Sequence, residues 1–177
     1  MQLTHVTADR RNEWNAFVAR EPSFALLHSW EWGEFKERSG WKAFRVAIEE
    51  RGQMVASAQM FIKPLLLPGL AGSVVYVPRG PVGNWLEGER IFRLLSELHG
   101  IARRHRAVFL KIEPPLLHDP TIEQMLGQHS FWASPHANQP CATIVMDLMP
   151  GLDDVLAHMH SKTCYNVRYA TKIAVVV

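Results

Sequence analysis

The sequence predicts an α/β fold, a mixed sheet flanked by helices. Two observations carry that expectation. From Trp41 to Val77, a hairpin of alternating strands leads into the continuous β-branched run Ser73–Val77, the pattern of a half-buried pair feeding a central strand. Then Leu86–Arg106 places Ile91, Leu94, Leu95, Leu98, Ile101 and Ala102 on one helical stripe, and a strand expected to be buried, Ala107–Ile112, follows directly, as a crossover to a second strand requires.

In chain order, Gln2–Thr7 alternates as a short strand. Asp9 is placed to cap a helix that runs to about Ala19, turns Trp14, Phe17 and Val18 inward, and ends at Pro22. Ser29 caps a second helix that closes at Gly40, with Trp32 and Phe35 on one face. Trp41–Glu50 and Met54–Ile62 form the hairpin around Glu50–Gln53. Pro64–Gly72 is rich in breakers and predicts a connection. Pro78-Arg79-Gly80-Pro81 is a rigid loop at a strand's carboxyl end. A short helix near Thr121–Gly127 precedes two predicted strands, Phe131–Ser134 and Cys141–Leu148. Pro150-Gly151 then separates residues 1–150, one domain, from residues 151–177, the opening helix and stub of a second. That helix, Asp153–Lys172, carries Leu152, Leu156, Met159, Thr163, Val167 and Ala170 on one stripe. Asp154, His158, Ser161, Tyr165, Arg168 and Lys172 lie opposite.

Composition narrows the function classes. The chain has 177 residues, 47% hydrophobic and 20% charged, ordinary for a globular protein with a core. No apolar run is long enough for a bilayer helix. The N-terminus lacks the apolar core of a secretion signal, and the two cysteines form no CxxC pair, so a cytoplasmic setting is expected. A net charge of +2 gives no field for bulk nucleic-acid binding. An anionic partner must be held by individually placed cations. His160 and Cys164 are too few for a zinc site, so no metal is expected. No Ser-His-Asp or Cys-His arrangement suggests a nucleophile.

Five short stretches carry a resemblance. They are Trp32-Gly33-Glu34-Phe35-Lys36, Gly40-Trp41, Tyr76-Val77-Pro78-Arg79-Gly80-Pro81, Lys111-Ile112-Glu113-Pro114, and Lys162-Thr163-Cys164-Tyr165-Asn166-Val167-Arg168. In order and spacing they resemble the FemABX family of aminoacyltransferases, which build peptidoglycan cross-bridges. The resemblance implies two N-acetyltransferase-like (GNAT-like) domains and no cofactor. It implies transfer of an amino acid from aminoacyl-tRNA to the stem peptide of a nucleotide-linked or lipid-linked muramyl precursor. Two departures stand out. Cys164 replaces a usual basic residue, and the chain is about half the length that two such domains need. It is therefore expected to be the first domain plus a stub, short of full activity.

The resemblance also implies that Lys36 and Arg168 hold the precursor's phosphates and that Tyr76 lines the muramyl site. The residue chemistry agrees. Arginine presents a planar fork of donors to phosphate, and Tyr165 shares a helical face with Arg168. Tyr76 and Arg79 sit at a strand's carboxyl end, where open α/β sheets place ligands. Glu113 is expected to pair with one of these candidate cations in a structural salt bridge. Two alternatives are a non-catalytic binding module and a coenzyme A-dependent N-acetyltransferase, though the glycine-rich turn for the coenzyme's pyrophosphate is absent. The apolar stripe of the last helix is expected to pack on the first domain or across a homodimer.

Overall fold

The computed structural model describes residues 1–20, 25–67, 70–140, 142, 146–147 and 149–173, with the side chains of residues 25, 66, 67 and 70 left aside. It divides into two compact units, Met1–Gln139 and Pro140–Val177.

In the first unit, strands β1 (Gln2–His5), β2 (Lys42–Glu50), β3 (Gln53–Leu67), β4 (Leu70–Pro78) and β6 (Ala107–Glu113) lie side by side in that order. All neighbours are antiparallel except the parallel pair β4 and β6. A short strand β5 (Val82–Gly83), not foreseen from the sequence, pairs with β3 at Ala56 and Ser57. The hairpin between β2 and β3 turns on Arg51 and Gly52, with φ of 50° and 76°, as a two-residue primed turn demands.

The predicted crossover helix is α4 (Gly88–Arg104). Its six stripe residues are all buried, against Val46, Ile48, Ala58, Met60, Ile62, Val75 and Val77 of the sheet. At roughly 1.5–3 kcal/mol for each large side chain removed from water, this stripe is the main cohesion of that layer. The opposite face is covered at its β1–β2 side by α1 (Arg11–Val18), α2 (Ala25–His28) and α3 (Trp30–Arg38). There Trp14, Val18 and Trp30 pack with Val6, Ala47 and Met54. Ser29 caps α3 as expected, accepting the Trp32 N–H at 3.1 Å.

Several expectations need correction. Asp9 does not cap α1; it accepts a hydrogen bond from the Thr7 hydroxyl, and a 3-10 turn, Ala8–Arg10, precedes the helix. Pro64–Gly72 is not a connection, because β3 runs to Leu67 and pairs with β4 through Leu67–Leu70. Pro64 is tolerated because its partner Ser73 turns its own N–H away, to Arg106 O at 3.2 Å. The missing donor of Pro64 therefore faces the side where β2 has already ended at Lys42–Ile62. Strand β6 is not buried throughout, since Val108 and Phe109 are each about half exposed. Helix α5 (Pro120–Gln128) is capped by Asp119, and the predicted strand at Phe131 does not form. Ser130 has a φ of 60°, and the Phe131 N–H returns to Leu126 O at 3.0 Å to close α5. The predicted strand Cys141–Leu148 lies mostly outside the described residues, as does the tail after Ile173.

In the second unit, the single predicted helix is two, α6 (Leu152–Ala157) and α7 (Ser161–Lys172). The break is a new N-cap. His160 is extended and its Nδ1 accepts the Lys162 N–H at 3.3 Å, while Cys164 Sγ donates to Leu156 O at 2.9 Å. Neither helix has a buried residue, and Leu152, Tyr165, Val167 and Tyr169 are exposed.

One feature of the first unit fixes the helical layer on the sheet. Between Ser57, the last β5 partner, and Phe61, the first β4 partner, β3 lacks a strand neighbour on one side. The fully buried His28 fills this opening. Its Nδ1 accepts the Gln59 N–H at 3.2 Å, so the neutral ring carries its proton on Nε2, towards the backbone at Pro78 and Arg79. Burial pushes the imidazole down to about 4, against the opposing effect of that backbone. Gly80 is a glycine because a Cβ there would collide with the His28 ring.

Replacing Gly80 with Ala is expected to destabilise the chain by about 1–3 kcal/mol in urea unfolding. Gly127→Ala, in a helix with open space around it, should stabilise by about 0.5–1 kcal/mol. A second expectation concerns pH. The folded state disfavours protonated His28, so its contribution is complete above the ordinary value near 6.5 and declines as pH falls towards about 4. The loss should reach about 3 kcal/mol. Urea midpoints between pH 7 and pH 4.5 should show it, and His28→Asn, which keeps an acceptor for the Gln59 N–H, should flatten the slope.

Candidate functional site

The site begins with which side chains share a sheet face. The registers Ala43–Phe61, Phe61–Tyr76 and Tyr76–Lys111 put these four residues in one cross-strand row. Lys63, Val74 and Phe109 form the next row on the same face. Helices α1 to α3 cover the β1–β2 side of this face. The β4–β6 side is more open, with Phe109 53% exposed.

At the covered edge, Lys36 projects from the last turn of α3, and its Nζ lies 4.9 Å from the centre of the Trp41 ring. Continuing the Lys42–Ile62 register by one step puts Trp41 opposite Lys63, whose Nζ lies 5.5 Å from the same ring. The α3 position that allows this rests on Gly33. A Cβ there would run into the Arg45 guanidinium, which stacks 3.6 Å from the Trp30 ring centre and donates to Trp30 O at 3.0 Å. Burial lowers the Arg45 pKa to about 10, so it remains charged at neutral pH.

At the carboxyl ends of β4 and β6 lies a second cluster. Tyr76 donates its hydroxyl hydrogen to Glu113 Oε2 at 2.5 Å and accepts from Gln139 Nε2 at 2.9 Å. Glu113 Oε1 takes the Asn138 N–H at 2.6 Å and faces Lys111 Nζ at 3.2 Å. Lys111 also donates to His136 O at 2.5 Å. Burial and the hydrogen bond to Glu113 raise the Tyr76 pKa. Burial would also raise Glu113, but hydrogen bonds from Tyr76, Asn138 and Lys111 hold it below the usual carboxylate range. Glu113 thus has a structural ion pair, with Lys111, and a further bond to the Tyr76 phenol. The cluster also ties residues 136–139 to the strand ends.

Arg79 follows β4 with a φ of 48°, a left-handed conformation uncommon for a non-glycine residue, and precedes the cis Gly80-Pro81 bond. Tyr165 and Arg168 belong to the second unit, exposed on α7, where Tyr165 stacks on Tyr169 with ring centres 6.0 Å apart. Among the named candidates, Tyr76 of β4 and Lys36 of α3 therefore lie on the same half-covered side of the sheet. Tyr165 and Arg168 sit together on one helix of the other unit. Sequence reasoning did not foresee the approach of Lys63 to Trp41, or the hydrogen bonds of Tyr76 with Glu113 and Gln139. The signal for Lys63 was the register of the hairpin, which becomes legible only when β3 is extended past Ile62.

Two shallow hollows, of about 400 and 290 Å³, lie elsewhere, beside α5 and at the tip of the β3–β4 hairpin. Neither is lined by the candidate residues. Among the described residues, no three His, Cys, Asp or Glu side chains are grouped to hold a metal, and no helix is long and apolar enough to cross a membrane.

The chain resembles known proteins in sequence and in fold. The FemAB family matches residues 10–129. Lipid II:glycine glycyltransferase of Staphylococcus aureus is 28% identical, over 97% of this chain but 42% of the relative. The crystal structure of FemX superposes with a TM-score of 0.79 at 28% identity, covering 97% of this chain and 44% of that one. The chain thus spans less than half the length of both. A putative acetyltransferase from Agrobacterium tumefaciens, 16% identical with a TM-score of 0.57 over 79% of this chain and 99% of its own, shares the fold.

The Tyr76 cluster makes a spectroscopic prediction. The alkaline phenolate transition of Tyr76, identified by its loss in Tyr76→Phe, should move to lower pH in Glu113→Gln. Removing the carboxylate removes one of the influences that keep the phenol protonated. Absorbance near the phenolate band, followed against pH, measures it.

Proposed function

The chain belongs to the FemAB family, and from that membership we propose that it forms the precursor-holding part of a peptidoglycan aminoacyltransferase. The reaction is attack by a stem-peptide amine on the ester of an aminoacyl-tRNA. Such a reaction depends on positioning and on stabilising the oxyanion more than on a protein nucleophile. Lys36 contacts the phosphates of a nucleotide-linked or lipid-linked muramyl precursor. Arg168, carried with Tyr165 by the second unit, is a further phosphate contact. Tyr76 and Arg79 line the muramyl portion near the ends of the parallel strands.

The observation that carries this reading is the half-open sheet face, with the Lys36 ammonium over Trp41 at one edge and the Tyr76 hydroxyl in the adjoining cross-strand row. The place is suited to an amphipathic sugar diphosphate, because cation and hydroxyl flank apolar side chains. A coenzyme A-dependent acetyltransferase is disfavoured by charge. Helix α4, which follows β4, has Glu87 at its N-cap and Glu89 in its first turn, where a pyrophosphate would need donors and positive charge.

Isothermal titration of the chain with a UDP-muramyl pentapeptide tests the reading. Binding is expected, weakened about tenfold by Lys36→Gln, the effect of losing one charge-assisted contact of about 1.4 kcal/mol. No binding by the wild-type chain would overturn it. Transfer of labelled amino acid from charged tRNA in the same samples separates an active transferase from a binding module.

A further inference from the structure

We infer that Lys63 is a second phosphate-binding residue, which with Lys36 forms a two-ammonium clamp for a diphosphate on the platform of Trp41. The inference rests on the reading of Lys36 as a phosphate contact and adds a residue that reading did not contain.

The two lysines come from different elements, α3 and β3, yet their ammonium groups lie 4.9 and 5.5 Å from one indole. That shared ring keeps them within about 10 Å of each other. A diphosphate can bridge such a span with one phosphoryl group on each ammonium. The cation–π contacts hold both stems towards the ring without neutralising either charge.

The carboxylates nearby are committed elsewhere. On α3, Glu31 and Glu34 pair with Arg11 at 2.7 and 3.0 Å, and Glu37 accepts the Ala43 N–H at 3.3 Å. Among the described residues no carboxylate forms an ion pair with Lys36 or Lys63. Lys111 is the instructive contrast. It lies on the same face two strands from Lys63, and Glu113 neutralises it at 3.2 Å. The fold thus provides an internal counter-ion for one lysine of this face and leaves two others with their charges directed at one ring. Two like charges held close, without an acid between them, form a local positive field suited to a compact dianion.

The ligand class is a diphosphate ester, whether attached to a nucleoside or to a polyprenol. The test titrates the full chain at low salt with inorganic pyrophosphate and, separately, orthophosphate. Pyrophosphate is expected to bind more tightly than orthophosphate, which cannot bridge the pair. Lys63→Gln should weaken pyrophosphate binding about tenfold, and Lys63→Arg should retain it. Lys42→Gln, which removes a lysine on the other face of the sheet beside Phe44, should leave it unchanged. If Lys36→Gln weakens binding and Lys63→Gln does not, the clamp is wrong and the Lys36 reading survives. If neither variant has an effect, both fall. An equal loss in Lys42→Gln would reduce the effect to net charge and overturn the clamp. Competition by UDP or by farnesyl diphosphate then distinguishes the two sources, and displacement by neither would also overturn it.

Discussion

The imidazole of His28 occupies the opening where β3 has parted from β5 and has not yet met β4. A gap in a buried ladder leaves a backbone donor, here the Gln59 N–H, that must find a partner. His28 supplies it, and the chain on either side of His28 is bound in turn by side chains. Trp14 Nε1 donates to His28 O at 2.6 Å, Gln59 Nε2 donates to Leu27 O and Ser29 O, and Asn15 Oδ1 accepts the Trp30 N–H. Hydrogen bonds aimed at backbone are more directional than apolar packing, so this network sets where α3 begins and at what angle it crosses the sheet. The position of Lys36, two turns along that helix, follows from it.

Charge is distributed on the same principle. The chain is nearly neutral overall, and several of its cations have an acid close by: Arg10 has Glu13 and Glu49, Arg11 has Glu31 and Glu34, Arg90 has Glu50, and Arg104 has Glu97. Exposed pairs of this kind add little stability. The Arg11 pairs neutralise Glu31 and Glu34, two acids of α3 itself, so that less negative charge opposes Lys36 and Lys63 where they approach Trp41. A polyanion-binding surface with a high net charge would act at long range; this arrangement acts at contact distance.

Much of the scaffold was legible in the residues. The α4 stripe, the Ser29 cap and the tight turn at Arg51–Gly52 are local rules, and each held. What escaped was settled by tertiary context. Pro64 signals a break, yet it stays in β3 because its missing donor faces a position β2 does not reach. Phe131 looks like the start of a strand, yet its N–H is taken by the end of α5. His158–His160 gives no warning of a helix break, because a histidine acting as N-cap is not a standard stop signal. The candidate residues divide the same way. Lys36, Tyr76, Arg79, Tyr165 and Arg168 were named from their motifs. The Trp41–Lys63 proximity and the Tyr76–Glu113–Gln139 chain depend on register and on a loop returning from far along the sequence.

Gly33 shows how closely scaffold and surface are geared. It lies against the Arg45 guanidinium at the point where α3 comes nearest the sheet, and Lys36 follows three residues later on the same rod. A methyl group at that fulcrum would lift the helix and swing the lysine through a larger arc than the fulcrum itself moves. Variation at position 33, which faces the interior, would therefore be felt one turn away, in where the Lys36 ammonium meets the Trp41 ring.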